Sequence, residues 1–268
     1  MKRYSIFFLF VVSCICCIAQ ENSVFTRTGV MKGHDYVDLG LPSGTMWATC
    51  NIGAQKATEN GDYYAWGEIK PKKKYSKDTY KYVEFNKTYQ FTKYCNHSKY
   101  GYKGFYDKKV ELDRKDDVAY RKWKGEWRIP TYMQISEILL ECFIVETSDY
   151  NGTNVPGIII YKAKCRKDKG HRFKPEGDEW KDMAKKYTLK DTHIFLPSAG
   201  FVEDSEQEKL GECGYYMSSR KSRYDEEGLI YLHTHSRRIS SYDVSNLRFI
   251  GMSVRPVFVK QNLEVANK

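Results

Sequence analysis

The chain has 268 residues, 41% hydrophobic and 29% charged, with a formal net charge of +10 and a mean hydropathy of −0.65. Those proportions exclude wholesale disorder, and the length accommodates one large domain or two small ones. The unusual quantity is the aromatic content, 15% with 22 Tyr; Tyr has an apolar ring and a polar tip, which serve packing and contact surfaces alike.

At the start, Met1-Lys2-Arg3, the apolar run 6–18 and Cys17-Ile18-Ala19 read as a secretory signal peptide cut between Ala19 and Gln20. The run is shorter than the roughly 20 apolar residues of a membrane span, and no later segment approaches that length. Val11-Val12-Ser13-Cys14 offers a second reading, a lipid anchor at Cys14. It ranks second because it leaves apolar residues 15–19 on the mature terminus. The predicted location is therefore exported: periplasm, outer-membrane surface or secreted. Loss of Lys2 and Arg3 lowers the charge to +8, and export argues against nucleic acid as the partner. Residues 20–33 are polar without apolar periodicity and read as a flexible lead-in. The folded domain is expected over 34–260, with a tail at 261–268.

Residues 46–51 and 62–66 read as short strands, the first preceded by the turn Leu41-Pro42-Ser43-Gly44. From 70 to 107 the composition shifts to Lys, Tyr, Asn and Gly, which predicts a long excursion of loops, where function often sits. Residues 113–123 read as a short helix, with Asp116 and Asp117 suited to its N-cap and first turn. After the strand-like 127–130, Thr131 and Gln134 form a T-x-x-Q capping box. Ile135, Ile138, Leu139 and Cys142 then recur at helical spacing on one face. Strands are expected at 158–161, 193–196, 215–218, 229–233 and 253–259. The charged segment 166–190 reads as a loop with a short helix at 179–186. No fixed-period repeat is visible, which disfavours solenoids and propellers.

Five cysteines follow the leader: Cys50, Cys95, Cys142, Cys165 and Cys213. None forms a CxxC pair, which disfavours metal ligation, and the odd number leaves at least one outside any internal bridge. The preferred bridge is Cys50 to Cys142, on a strand and a helix that both face the core. His233 and His235 alternate, so both rings fall on one side of a strand. Without a third ligand they read as exposed histidines rather than a metal site. Asp113, Asp116 and Asp117 offer calcium oxygens in one acidic loop, but helix capping accounts for them. Thus no cofactor is expected, with calcium as the alternative. Trp47, Trp66, Trp123 and Trp127 read as core by default; a sugar-stacking platform needs an exposed ring, and Trp66-Gly67-Glu68 at a loop mouth is the best candidate for one. Arg128 and Arg255 are expected to tie loops to backbone carbonyls or carboxylates. The basic runs at 70–74 and 237–238 read as solvated faces, with attraction of anionic glycans or a membrane surface as the alternative. No GxSxG, HExxH or glycine-rich phosphate loop occurs.

The blocks YVDLGLPSGTMWATCNIGA, GDYYAWGE, TKYC, GYKGFYDKKVELDRKDDVAYRKWKGEWRIPT, IFLPSAGF, GYYMSS and GMSVRPV follow one another between Tyr36 and Phe258. In that order they resemble the Fibrobacter succinogenes major paralogous domain family of exported bacterial proteins. The resemblance implies an α+β, C-type lectin-like or formylglycine-generating-enzyme-like single domain with two helices, short twisted strands and much irregular loop, of the kind Bacteroidetes export or display. It implies no established activity. Met217 stands where members often have Trp, which puts any ligand role of that position in doubt. The related enzyme needs thiols late in its domain, and none follows Cys213 here. The expected function is non-catalytic recognition of a glycan or surface protein. An enzyme on the formylglycine-generating scaffold and a structural subunit of a surface assembly are the alternatives.

Overall fold

A computed structural model describes residues 27–170, 182, 185–235, 238–244 and 248–260. The leader with Cys14, Ala19 and Gln20, residues 20–26 of the lead-in, the tail at 261–268 and most of the helix expected at 179–186 lie outside them. Lys185 and Lys186, the last residues of that expected helix, form a turn.

Part of the stretch read as a flexible lead-in is regular structure. Strand β1 (Gly29–Met31) pairs with β2 (His34–Val37) across a turn in which Lys32 and Gly33 have φ of 50° and 82°. That left-handed pair matches the strand twist. Strand β3 (Thr45–Ala48) joins the same antiparallel sheet, and the turn before it is closed by Gly44 N–H donating to Leu41 O at 2.9 Å. Residues 62–66 make only a bridge, Tyr64 to Met252. Within the expected loop excursion the chain instead forms a hairpin, β4 (Val83–Asn86) and β5 (Thr88–Phe91).

The short helix α1 (Val118–Trp123) starts at Asp117, whose carboxylate accepts the Tyr120 N–H at 3.1 Å. Helix α2 (Tyr132–Glu141) carries the expected capping box. Thr131 Oγ1 accepts the Gln134 N–H at 3.3 Å, and Gln134 Oε1 accepts the Thr131 N–H at 2.9 Å. Ile135, Ile138 and Leu139 are buried as their spacing requires. Replacing Thr131 by Ala is expected to lower stability by about 1 kcal/mol. A thermal melt checks it, with a fall of about 2–4 °C.

Cys142 lies beyond the helix. It is the extended C-cap and the first residue of β6 (Cys142–Thr147), because Phe143, Ile144 and Val145 favour a strand and find a partner in β7 (Gly157–Lys162). β8 (His193–Pro197) completes this second antiparallel sheet. The unbroken apolar run of β7 is explained by burial on both faces: Ile158 and Ile160 meet α2, and Ile159 and Tyr161 meet Phe143, Tyr150 and Tyr187. A small hairpin follows, β9 (Phe201–Glu203) with β10 (Glu206–Glu208). Then comes a meander of β11 (Gly214–Lys221), β12 (Leu229–His235) and β13 (Arg238–Val244). Finally β14 (Val257–Val259) returns to pair with β3, so the two ends of the described domain meet in one sheet.

The fold is mixed α+β, with two helices and several small antiparallel sheets among the described residues. No helix among them is long and apolar enough to cross a membrane. The largest core is aromatic and joins Trp66, Tyr64, Tyr80, Tyr94, Trp127, Met217 and Phe249. Buried Arg255 donates from Nη1 to the carbonyls of Ala48 (3.2 Å) and Thr49 (2.9 Å) and from Nε to Asn51 Oδ1 (2.8 Å), tying β3 to the last loop. Arg128 similarly holds the Trp127 carbonyl at 2.6 Å.

The expected Cys50–Cys142 bridge does not form, and both are free thiols. Once Cys142 leaves the helical face for β6 it packs in the aliphatic core under α2, while Cys50 lies against the aromatic one.

Candidate functional site

Of the residues singled out for ligand contact, Trp66, Glu68, Asp116 and Asp117 are buried and Asp113 is half-buried. Trp66 is fully buried, and its Nε1 donates to Ser218 O at 3.1 Å, so the ring presents no face to a sugar. Glu68 is also buried; it binds the Lys72 ammonium at 2.9 Å and accepts the Lys81 N–H at 2.9 Å. Part of the basic run at 70–74 therefore closes a loop: Lys72 does so here, and Lys74 pairs with Asp78. Met217, 1% exposed, belongs to the aromatic core and touches no surface.

The three aspartates separate by role. Asp113 accepts from Lys93 at 2.7 Å and Lys109 at 2.9 Å. Asp116, 3% exposed, is no helix cap. It accepts from the Lys93 ammonium and from the Tyr94 hydroxyl at 2.7 Å. Burial works to raise the Asp116 carboxyl, but Lys93, Tyr82 and Tyr94 outweigh it and hold it below the usual range. The Lys93 and Lys109 contacts likewise hold Asp113 low. Asp117 caps α1 and accepts the Ile129 N–H at 3.0 Å, and burial pushes its carboxyl up. Lysine and backbone N–H groups thus occupy the positions a calcium ion would take. No group of three or more metal-ligating side chains occurs among the described residues. The His233 ring leans on Tyr215 at 4.7 Å, and the His235 side chain lies outside the described part.

What the loop excursion builds instead is a lobe of exposed rings on a rigid base. The hairpin β4–β5 turns at Lys87, whose φ is 61°. Phe85 and Tyr89 sit directly across it, ring centroids 5.1 Å apart. Phe91, at the end of β5, bridges to Gly101, which docks residues 98–106 alongside the hairpin. Only glycine fits there: a Cβ on Gly101 would lie 1.7 Å from the Phe105 carbonyl oxygen. Asp107 then fixes the loop by accepting the N–H groups of Tyr94 and Cys95, both at 3.0 Å.

Beneath this lobe, fully buried Arg248 acts as the clamp. Its Nη1 donates to Tyr94 O (3.1 Å) and Glu226 O (2.8 Å), and its Nη2 donates to Lys93 O and the Tyr80 hydroxyl, both at 3.3 Å. The guanidinium also lies 4.4 Å from the Phe91 ring centroid and 5.1 Å from that of Trp66. Glu226 adds a second peg, accepting the Asn96 N–H at 2.7 Å and the buried Lys221 ammonium at 2.8 Å.

The outer surface is the opposite in character. Phe85 is 68% exposed, Tyr106 53%, Tyr100 44%, Tyr89 39% and Phe105 37%, which is unusual for large rings held on ordered backbone. Lys99 lies over the Tyr100 ring at 4.5 Å, Lys103 over Tyr102 at 5.2 Å and Lys108 over Tyr106 at 5.6 Å. The Tyr-rich excursion was expected to carry function, but its individual residues were not singled out because the segment has no periodicity. The recurrence of Lys beside Tyr at 99–100, 102–103 and 106–108 was the available signal.

A concavity of about 350 Å³ runs along α2, lined by Pro42, Ser43, Met133, Gln134, Ser136, Glu137, Leu140 and Glu141. Its polar wall is already satisfied, since Glu137 accepts both the Ser43 N–H (2.8 Å) and the Ser43 hydroxyl (2.5 Å). No protein family, curated protein or solved structure matches this chain.

Proposed function

We propose that the chain is an exported, non-catalytic recognition domain that binds a glycan through the aromatic lobe at residues 83–108. The single observation that carries this reading is the group of five exposed rings on a base pinned by Arg248, Asp107 and Glu226. Rigid rings lose little entropy on contact, and their faces suit the C–H faces of pyranose rings. The α+β architecture is compatible with the C-type lectin-like scaffold that the sequence resemblance implies.

Four of the thiols speak against the formylglycine-generating type of chemistry at those positions. Burial pushes Cys50, Cys95, Cys142 and Cys213 up, Cys142 to about 12. A nucleophilic or copper-binding cysteine needs the reverse.

Immobilised glycans of varied composition test the lobe. The folded protein should bind at least one class, and the double variant Tyr100→Ala and Tyr106→Ala should weaken that binding about tenfold or more, since each stacked ring contributes on the order of 1 kcal/mol. Met133→Glu on α2 should leave it unchanged. If the α2 variant alone abolished binding, the site would be the groove. Export is tested by N-terminal sequencing of the mature protein, which should begin at Gln20; a lipid-modified Cys14 would replace the free secreted form with an anchored one.

A further inference from the structure

We infer that the ligand of the lobe is an acidic polysaccharide, recognised by rings and lysines that act as paired units. This rests on the lobe being the binding site. It adds the charge class of the ligand.

The argument comes from how charges are distributed over the lobe. Its acids are largely engaged: Asp107 by the backbone N–H groups of Tyr94, Cys95 and Lys109, Glu226 by Lys221 and Asn96, and Asp113 and Asp116 by Lys93. Apart from Lys93, its lysines are not. Lys87, Lys99, Lys103 and Lys108 are exposed, and none takes part in the ion pairs found among the described residues. Glu84 is the one exposed carboxylate on the hairpin itself. The surface therefore presents uncompensated positive charge beside apolar faces.

Three of these ammonium groups rest over tyrosine rings, at 4.5 to 5.6 Å. An exposed cation–π contact is a weak interaction, and a carboxylate or sulfate is a better partner for the same ammonium. An anionic ligand draws the lysine off the ring and leaves the ring face free. A sugar that carries both an acidic group and a C–H face satisfies the two halves of the unit together. Single-stranded nucleic acid also combines negative charge with flat faces, and the export expected from the leader-like start argues against it.

The test uses the full mature chain with three probes: polygalacturonate, its fully methyl-esterified form, which keeps the backbone and removes the charge, and single-stranded DNA. Affinity electrophoresis or calorimetry should show binding to polygalacturonate that weakens about tenfold on methyl esterification and falls steeply toward about 0.3 M salt. The triple variant Lys87→Gly, Lys99→Gln and Lys103→Gly should lose binding by a similar factor. Glycine at 87 and 103 suits their φ of 61° and 52°, so the variant keeps its fold, which circular dichroism verifies. Equal affinity for the methyl ester, lost on Tyr100→Ala, would overturn the acidic-ligand inference and leave glycan recognition standing. Tighter binding to DNA than to polygalacturonate would overturn it as well. No binding to either polysaccharide or to the wider glycan set would remove both.

Discussion

Arg248→Met is expected to destabilise the domain by about 3–5 kcal/mol and to dissolve the lobe before the rest of the fold. The substitution keeps an apolar stem but removes the donors that satisfy Lys93 O, Tyr94 O, Glu226 O and the Tyr80 hydroxyl. The Tyr80 hydroxyl keeps its bond to Trp66 O and the Lys93 carbonyl is only part-buried, so the cost falls mainly on the buried Tyr94 and Glu226 carbonyls, at about 1–3 kcal/mol each. The clamp joins residues 93–94 to 226 and 80, stretches far apart in the chain, so no local interaction replaces it. In a chain of this size the loss corresponds to a melting temperature lower by on the order of 10 °C. Hydrogen exchange gives the sharper readout: amides of 91–106 should lose protection while those of β7 and β8 keep theirs. Uniform loss of protection would show that the clamp serves the whole core instead. Arg248→Lys should fall between, because one ammonium cannot span four acceptors held by a planar fork.

Lys93→Met produces the second large effect, about 3–5 kcal/mol at pH 7, because it leaves the buried Asp116 carboxylate without its main counter-charge. In the native protein Asp113 and Asp116 are held below the usual carboxylate range. Their contribution is fully present above the unfolded value of about 3.9 and is lost as pH falls through the lower folded values. In the variant, burial acts on Asp116 with less opposition, so its carboxyl rises and protonation on acidification relieves the penalty. The difference between the two proteins should therefore shrink as pH is lowered from about 7 toward about 3. Urea unfolding across that range measures it. A gap that stays constant with pH would mean that the lost contacts are packing contacts of the lysine stem and not charge.

Both effects concern residues whose roles lay outside local reading. Thr131 and Gln134, three positions apart, declare a helix start, and Ile135, Ile138 and Leu139 declare its buried face. The strands at 158–161, 193–196, 215–218 and 229–233 were legible from β-branched and aromatic runs between turn residues. The hairpin β4–β5 was not, because its turn residue is Lys87 and not the glycine or asparagine that marks such a φ. β6 was missed because Cys142 extends the helical spacing by one more turn, while its actual partner, β7, begins 15 residues later at Gly157. Trp66 followed by Gly67 read as a loop mouth, but Ser218, 152 residues away, takes its N–H and closes the site from within.

By itself the sequence determined what depends on neighbours in the chain: the α2 cap and apolar face, the main strands and the α+β class. Its leader-like start also carries the expectation of export. The core tryptophans were legible too; tertiary structure decided which rings of the loop excursion are surface and which distant charges are engaged. Burial of Trp66 and exposure of Phe85, Tyr100 and Tyr106 follow from where Arg248 and Asp107 anchor the lobe. The free lysines are those for which the fold supplies no carboxylate. Some of the pairings are local, four residues apart, such as Lys72 with Glu68 and Lys109 with Asp113, but those of Lys93 with Asp116 and Arg248 with Tyr94 join distant residues that no local pattern encodes.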